Sequence, residues 1–184
     1  KAIRKATATR DPGFVTSTGG LPVAEFAGHR VRYSGYVRTE NVSGMAGLWM
    51  RADSPEKSSV AFDNMADQHL RGTMDWKRWE FTLDIPPQSN ALLFGVLMVG
   101  TGRAWFDSLA IEVDGKPWSS STIDLALEDA AGPIGLGRQT VTPRYSIAMD
   151  EQVATSGKRS LRLAAGPATP DTLGDVLRAR APTA

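Results

Sequence analysis

An alternation of apolar and polar residues with a period of two dominates residues 31–113, and it constrains the fold more than any other feature. In the segment 31–38, Val31, Tyr33 and Val37 fall on one side of an extended chain, and polar residues and Tyr36 fall on the other. Clusters of Gly, Pro, Asn and Asp separate such segments, which is typical of short, half-buried strands. Helical periodicity is nearly absent. The pattern predicts an all-β chain, a sandwich of two antiparallel sheets.

Other segments show the same alternation or an apolar run of strand length. The run 91–99 is apolar at both parities, as expected of a strand covered on both faces. Gly100-Thr101-Gly102 joins it to 104–113, and the two predict a central hairpin. Asp114-Gly115-Lys116-Pro117 then predicts a turn. The remaining predicted strands are 31–38, 47–51, 59–65 and 76–85.

The chain divides into three predicted segments. Residues 1–117 form a sandwich module, and 118–144, with a Ser-rich start and a Gly- and Pro-rich end, form a linker or irregular segment. Residues 145–184 are either the opening strands of a second, incomplete copy or strands that complete the first sandwich. Because Lys1 is neither Met nor followed by an apolar signal segment, we interpret the start as an internal cut.

Composition argues against several classes of partner. The 21 basic and 20 acidic residues are spread along the chain, whereas a nucleic-acid surface needs concentrated positive charge. No apolar run reaches the roughly 18 residues of a membrane helix. Without cysteine there is neither a disulfide framework nor a thiolate site, and the compartment is left open. We therefore expect neither nucleic acid nor membrane as a partner.

Residues for catalysis are sparse. The two histidines, His29 and His69, lie in turn-like polar stretches. Several aspartates occur, but no spacing singles out a pair of the kind that glycosidases use, and Gly100-Thr101-Gly102 lacks the strand-to-helix context of a phosphate loop. We expect no catalytic residues, no cofactor and no metal ligands.

Candidate binding residues come from aromatic and polar side chains that share a strand face. Two predicted strands each carry an aromatic residue and an arginine two positions apart, a combination suited to stacking on a sugar ring and bonding its hydroxyls. Core packing is the alternative for Trp49, and we assign Trp76, Trp79 and Trp105 to the core. An Asp-Asn pair at 63–64 predicts either ligand contact or local hydrogen bonds at a strand end. The candidate ligand-binding residues are Tyr36, Arg38, Trp49, Arg51, Asp63 and Asn64.

The order of several short motifs resembles a known bacterial module over roughly Phe26 to Lys116. These motifs are 46–51 (AGLWMR), 61–65 (AFDNM), 72–76 (GTMDW) and 102–107 (GRAWFD). The chain resembles the galactose-binding-like accessory domain, of the carbohydrate-binding-module type, found upstream of some bacterial tail-specific serine peptidases and in some transcriptional regulators. The resemblance implies a jelly-roll β-sandwich. Some relatives hold a structural calcium beside two adjacent acids; Asp107-Ser108 at this position does not support one.

The residues and the resemblance together leave two expected functions open. The first is a non-catalytic module of a larger bacterial protein that recognises a glycan or other small polar ligand. The second is a structural accessory domain that packs against a peptidase or regulatory domain of the same protein and binds no small molecule. A sizeable exposed apolar patch would favour the second function.

Overall fold

The structure, a computed structural model, describes residues 13–130, 135–140 and 144–166, with the backbone alone at 138–140. This part of the chain contains strands and two short 3₁₀ helices, at Val23–Glu25 and Ala66–Gln68, and no α-helix. The strands are β1 (Phe14–Leu21), β2 (Arg30–Val42), β3 (Met45–Asp53), β4 (Ala61–Asp63), β5 (Gly72–Asp84), β6 (Ala91–Val99), β7 (Gly102–Val113), β8 (Lys116–Trp118), β9 (Gly137–Thr140), β10 (Tyr145–Asp150) and β11 (Ser160–Ala165).

The strands form two antiparallel sheets that pack face to face. Sheet A has the order β4-β3-β6-β1-β9, and sheet B has the order β10-β11-β7-β2-β5, with β8 paired to β7. The predicted all-β class and the two-sheet sandwich are therefore confirmed. The jelly-roll and galactose-binding-like assignments within this class stay predictions.

The core lies between the inner faces of the two sheets. Val31, Tyr33 and Val37 are fully buried, as the alternation predicts. The Tyr33 ring meets Phe81 and Phe94 edge to face, each at 5.7 Å between centroids, and its hydroxyl donates to the Gly95 carbonyl of sheet A at 3.3 Å. Burial raises the pKa of Tyr33 far above its ordinary value. Each such side chain contributes about 1.5–3 kcal/mol through burial.

The predicted central hairpin of 91–99 and 104–113 is wrong. Strand β6 pairs with β1 and β3 in sheet A, and β7 pairs with β2, β8 and β11 in sheet B. The intervening turn crosses between the sheets and is fastened to the neighbouring crossover from β2 to β3, because the Thr101 N–H donates to Ser43 Oγ at 2.8 Å and the Ser43 N–H donates to the Thr101 carbonyl at 3.1 Å. Of the predicted turn at 114–117, residues Asp114 and Gly115 form the turn, with positive φ, and β8 already begins at Lys116.

The C-terminal strands are hydrogen-bonded into sheet B. Strand β11 pairs with β7 from Leu161 opposite Phe106 to Ala165 opposite Gly102, and β10 pairs with β11. Leu161 and Leu163 are fully buried in the same core as sheet A. The strands of residues 145–165 are therefore part of sheet B, while the choice between a completed first sandwich and the start of a second copy stays a prediction. The predicted boundaries at 117 and 144 stay predictions, and residues 167–184 lie outside the described part.

Two irregularities shape the outer face of sheet B, the face turned away from sheet A. Ser34 lies opposite Ala110 but Tyr36 lies opposite Asp107, so β7 carries a bulge at Ser108, where φ is 49°. On the other side of β2, Val37 is opposite Lys77 and Thr39 is opposite Met74. Arg38 therefore faces both residues 75 and 76 across a second bulge. Bulges re-aim side chains and often occur beside functional sites.

Candidate functional site

The six predicted binding residues lie on opposite sides of the sandwich. Tyr36 and Arg38 belong to β2 and point out from sheet B, since their neighbours Val37 and Thr39 are buried. The other four lie on β3 and at the end of β4, in sheet A. The structure thus brings the residues together as two separate groups rather than as one site.

In sheet A, the Asp-Asn pair at 63–64 shapes the local turn. Asp63 Oδ1 accepts the Met65 N–H at 2.7 Å, and Asn64 Oδ1 accepts the Ala66 N–H at 3.1 Å. These bonds hold Met65 in a left-handed conformation with φ of 59°, and its side chain is fully buried. These contacts agree with the alternative in which Asp63 and Asn64 make local hydrogen bonds at a strand end, and ligand contact by this pair stays a prediction.

Trp49 is packed onto sheet A rather than presented to solvent. It is only 9% exposed, and its indole N–H donates to Thr16 Oγ1 at 2.9 Å. That hydroxyl donates in turn to the Val96 carbonyl at 2.8 Å. A Cβ on Gly95 would lie 3.0 Å from the Trp49 Nε1, so the indole passes directly over this glycine. Arg51 on the same face bonds Asp53 at 3.0 Å.

On the outer face of sheet B, Arg38 stacks on a fixed tryptophan. Trp105 lies opposite Arg38 in the register of β2 and β7, and the guanidinium carbon is 5.3 Å from the ring centroid. The Trp105 N–H donates to Asp150 Oδ2 at 2.9 Å, and Arg162 donates to the same oxygen at 3.4 Å. The indole cannot turn without losing this bond. Arg38 therefore rests on a pre-organised support.

Asp150 supplies the charge that anchors this arrangement. Burial raises the pKa of its carboxyl, but hydrogen bonds from Trp105 and from the backbone N–H groups of Gln152 and Val153 lower it, as does the charge of Arg162. The net effect holds the pKa of Asp150 below its ordinary value. The carboxylate is therefore ionised at neutral pH and keeps accepting the indole N–H.

Polar and aromatic groups flank Arg38. Tyr36, half-buried, lies two residues before it on β2, and Asp75 and Trp76 lie opposite it on β5. The Nε of Arg38 is 4.0 Å from a carboxylate oxygen of Asp75, whose side chain is 93% exposed. Within the described residues, neither the Arg38 guanidinium nor the Trp76 indole N–H makes a hydrogen bond. Both therefore offer donors to a ligand.

Two tryptophans assigned to the core from sequence lie elsewhere. Trp76 is half-buried and does not pack against the core cluster, and Trp105, although buried, lies on the outer face. Trp79 does pack against the core. The spacing of Trp76 and Trp79 carries the signal that could have found this, because residues three apart point to opposite faces of a strand. The burial of Trp105 under arginines has no such local signal.

A cleft of about 360 Å³ adjoins the stacked pair, lined by residues 40–41, 101–103 and 164–166. Arg103 bonds Glu40 at 2.7 Å inside it, and its guanidinium carbon is 5.9 Å from the Trp105 centroid. Gly102 has φ of +108°, and a Cβ there would lie 2.4 Å from the Asn41 carbonyl oxygen. Only glycine fits this wall, and the cleft has the volume of a small-ligand site.

On the other side of Tyr36, a loop is fastened to the sheet by Asp107. This fully buried carboxylate lies opposite Tyr36 and accepts the N–H groups of Thr155 and Ser156 at 2.8 and 3.0 Å. Because N–H groups point at the carboxylate, the surroundings do not fit the calcium that the resemblance raised. Among the described residues, no group of three or more His, Cys, Asp or Glu is arranged to hold a metal.

His29 has a local partner. Its Nδ1 is 2.7 Å from Asp114 Oδ2, and both side chains are about half exposed. The hydrogen bond with His29 and that from the Arg30 N–H hold the pKa of Asp114 below its ordinary value. His29 and Asp114 thus clamp the start of β2 to the turn after β7.

In the described part of the chain, no helix has the length and apolar character needed to span a bilayer.

Comparison with known proteins gives one informative similarity. No family model matches the chain, and no solved structure matches it. The chain is 32% identical over 133 residues, 72% of its length, to a protein of Bacillus subtilis (strain 168) named as the uncharacterized HTH-type transcriptional regulator YbfP. It spans about 45% of the length of that relative. The similarity is compatible with the predicted resemblance to domains of transcriptional regulators, and with an accessory domain.

Proposed function

We propose that the chain is a non-catalytic accessory module of a larger bacterial protein, and that it binds a glycan or other small polar ligand on the outer face of sheet B. The observation that carries the proposal is the stacking of Arg38 on Trp105, with Tyr36 and Trp76 beside it. The arrangement offers aromatic surface and fixed donors without a grouped acid, base and nucleophile, which suits binding rather than catalysis.

The accessory role is supported by the kind of structure that the similarity covers. A helix-turn-helix needs two packed α-helices, and the described part of this chain has none. The structure leaves 37 residues undescribed, so most of the 133 matched residues lie in the described part, which contains no α-helix. In a regulator, such a module would lie beside the DNA-binding unit and supply a second function.

The preference for a glycan follows from the chemistry of the face. A sugar ring presents C–H groups that pack on aromatic side chains such as Tyr36 and Trp76, and hydroxyls that accept hydrogen bonds from Arg38. The face is part of a rigid sheet, so little ordering is needed on binding. The adjoining cleft extends the surface along β7 and β11 and would take a second sugar unit or a substituent.

A glycan array probed with the full 184-residue chain tests the proposal. We expect retention on a defined subset of glycans, and loss of retention in Tyr36→Ala and Trp76→Ala with the circular dichroism spectrum unchanged. Phe62→Ala is the matched control, because it removes an aromatic side chain that is 48% exposed on the other sheet. Silence of the wild-type chain across a broad array, or equal loss in Phe62→Ala, would contradict binding at this face.

A second candidate function, docking against a neighbouring domain of the same protein, is favoured by the outer face of sheet A. Phe62 lies opposite Arg51, which pairs in turn with Leu93 of β6, and the outward-facing Leu93, Leu97 and Val99 are partly exposed along the same face. Exposed apolar patches mark interaction sites. If this face docks, Phe62→Ser combined with Leu97→Ser weakens association between the module and the remainder of its parent protein in sedimentation, and Trp76→Ala leaves association unchanged.

A further inference from the structure

We infer that the ligand of the sheet B face is a sugar that carries a negatively charged group, a carboxylate or an acidic ester. The inference rests on the proposed function and specifies its ligand. It comes from a comparison of the arginines on this face: Arg38 is paired with a carboxylate far more weakly than the others.

Most arginines of the face are paired with a nearby carboxylate. Arg32 bonds Glu112, Arg103 bonds Glu40 at 2.7 Å and Arg162 lies 3.4 Å from an Asp150 oxygen. Such pairs consume the donors of the guanidinium and cancel its charge locally.

Within the described residues, Arg38 is paired only with Asp75, and this ion pair is long and exposed to solvent. Its nearest carboxylate oxygen, on Asp75, lies 4.0 Å from Nε, which is beyond hydrogen-bond distance. Asp75 is almost fully exposed, so water and salt screen the pair, and pairs of this kind contribute little. The Nη groups of Arg38, on a side chain that is 37% exposed, make no hydrogen bond within the described part.

The support under Arg38 makes its free donors specific for an anion. The guanidinium carbon of Arg38 lies over the Trp105 ring, 5.3 Å from its centroid, and the guanidinium N–H groups make no hydrogen bond within the described part. A carboxylate, sulfate or phosphate group matches this fork with two parallel bonds. The other acids around the stack are engaged, Asp150 with Trp105 and Arg162, and Glu40 with Arg103.

The test compares matched charged and neutral ligands by isothermal titration calorimetry on the full chain. A short oligogalacturonide is the acidic probe, and its fully methyl-esterified form has the same sugar rings without the charge. A sulfated galactose oligosaccharide distinguishes an acidic ester from a carboxylate. We expect an acidic probe to bind about 10- to 100-fold more tightly than its neutral counterpart, the difference typical of a charge-assisted hydrogen bond, and to weaken as NaCl is raised.

Variants locate the effect. Arg38→Gln should remove the preference for the charged probe, and Arg38→Lys should retain only part of it, because lysine lacks the planar fork. Arg30→Gln is the control, since Arg30 lies on the same strand and is paired with Asp84 at 3.1 Å. The ester comparison and the salt titration use the wild-type chain, so they decide the question even if an Arg38 variant fails to fold.

The outcomes separate the inference from the proposed function. Equal affinity for the acidic and esterified probes would overturn the inference while leaving glycan binding in place. Binding of the sulfated probe alone would support an anionic ligand and assign the acidic ester. Absence of binding to any of the probes, together with a silent glycan array, would overturn both.

Discussion

At the scale of single residues, the bond between Trp105 and Asp150 is the contact on which the binding face depends. Trp105→Phe keeps most of the ring but removes the N–H, so a largely buried carboxylate loses a donor. We expect a loss of about 1–3 kcal/mol in the free energy of unfolding, measured by urea denaturation. Trp76→Phe is the control, with a change within about 0.5 kcal/mol, because its N–H makes no bond in the described part. Equal effects of the two substitutions would contradict this role for Trp105.

The charge of Asp150 predicts a dependence of stability on pH. Its pKa in the folded chain lies below the ordinary 3.8, so the unfolded chain takes up the proton first as pH falls. Its stabilisation is therefore complete well above pH 3.8 and is lost as pH decreases through 3.8 toward the folded pKa. In Asp150→Asn, the amide oxygen can still accept the Trp105 N–H but does not titrate. Urea midpoints at pH 7 and pH 3 should differ less in this variant than in the wild type; an unchanged difference would show that other carboxylates dominate.

At the scale of elements, the crossover between β6 and β7 requires glycine at its second end. Gly102→Ala places a methyl group against the Asn41 carbonyl and imposes a φ of +108° on a residue with a Cβ. We expect destabilisation of about 1–3 kcal/mol by chemical denaturation. Gly20→Ala, in β1, is the matched control, because a Cβ there meets nothing within 4 Å and φ is not in the positive range. A tolerated Gly102→Ala would mean that the two crossovers can move apart.

The same crossover shows which features of the elements were predictable. The alternation in β2 and β5 predicts strands because it reflects which side of each residue is covered, a local property. Pairing is not local: a tight Gly-Thr-Gly turn is compatible with a hairpin or with a crossover, and long-range contacts such as those with Ser43 and Gly13 distinguish the two. The sequence pattern does not indicate strand β1, because a polar residue, Thr16, takes a buried position there. Hydrogen bonds to Trp49 and to the Val96 carbonyl satisfy its buried hydroxyl.

The candidate site was predictable to a similar extent. Tyr36 and Arg38 follow from two outward positions on one strand. The support under Arg38 does not, because Trp105 is held by Asp150 from the far end of the sequence, brought into place through β11. The sequence also could not separate the two sheets, so residues from β3 and β4 were grouped with those of β2.

At the scale of the whole molecule, both sheets and the C-terminal strands share one core, so the chain should unfold as a unit. Tryptophans lie on both sheets, with Trp49 on sheet A and Trp105 on sheet B. If the last strands were an independent unit, losing them would leave the surroundings of Trp49 unchanged. Because Leu163 of β11 is fully buried in the common core, shortening its side chain should destabilise sheet A as well as sheet B.

Leu163→Ala tests this coupling. We expect a loss of about 2–5 kcal/mol from the cavity that it creates, with fluorescence and far-UV circular dichroism still following one coincident transition at a lower urea midpoint. The exposed Ser146 of the neighbouring strand β10 provides the control, Ser146→Ala, which should leave the midpoint unchanged. Two separate unfolding transitions in Leu163→Ala, the later one at the wild-type midpoint, would mean that β10 and β11 unfold independently of sheet A. A single transition is expected because β11 and sheet A are stabilised by the same buried contacts.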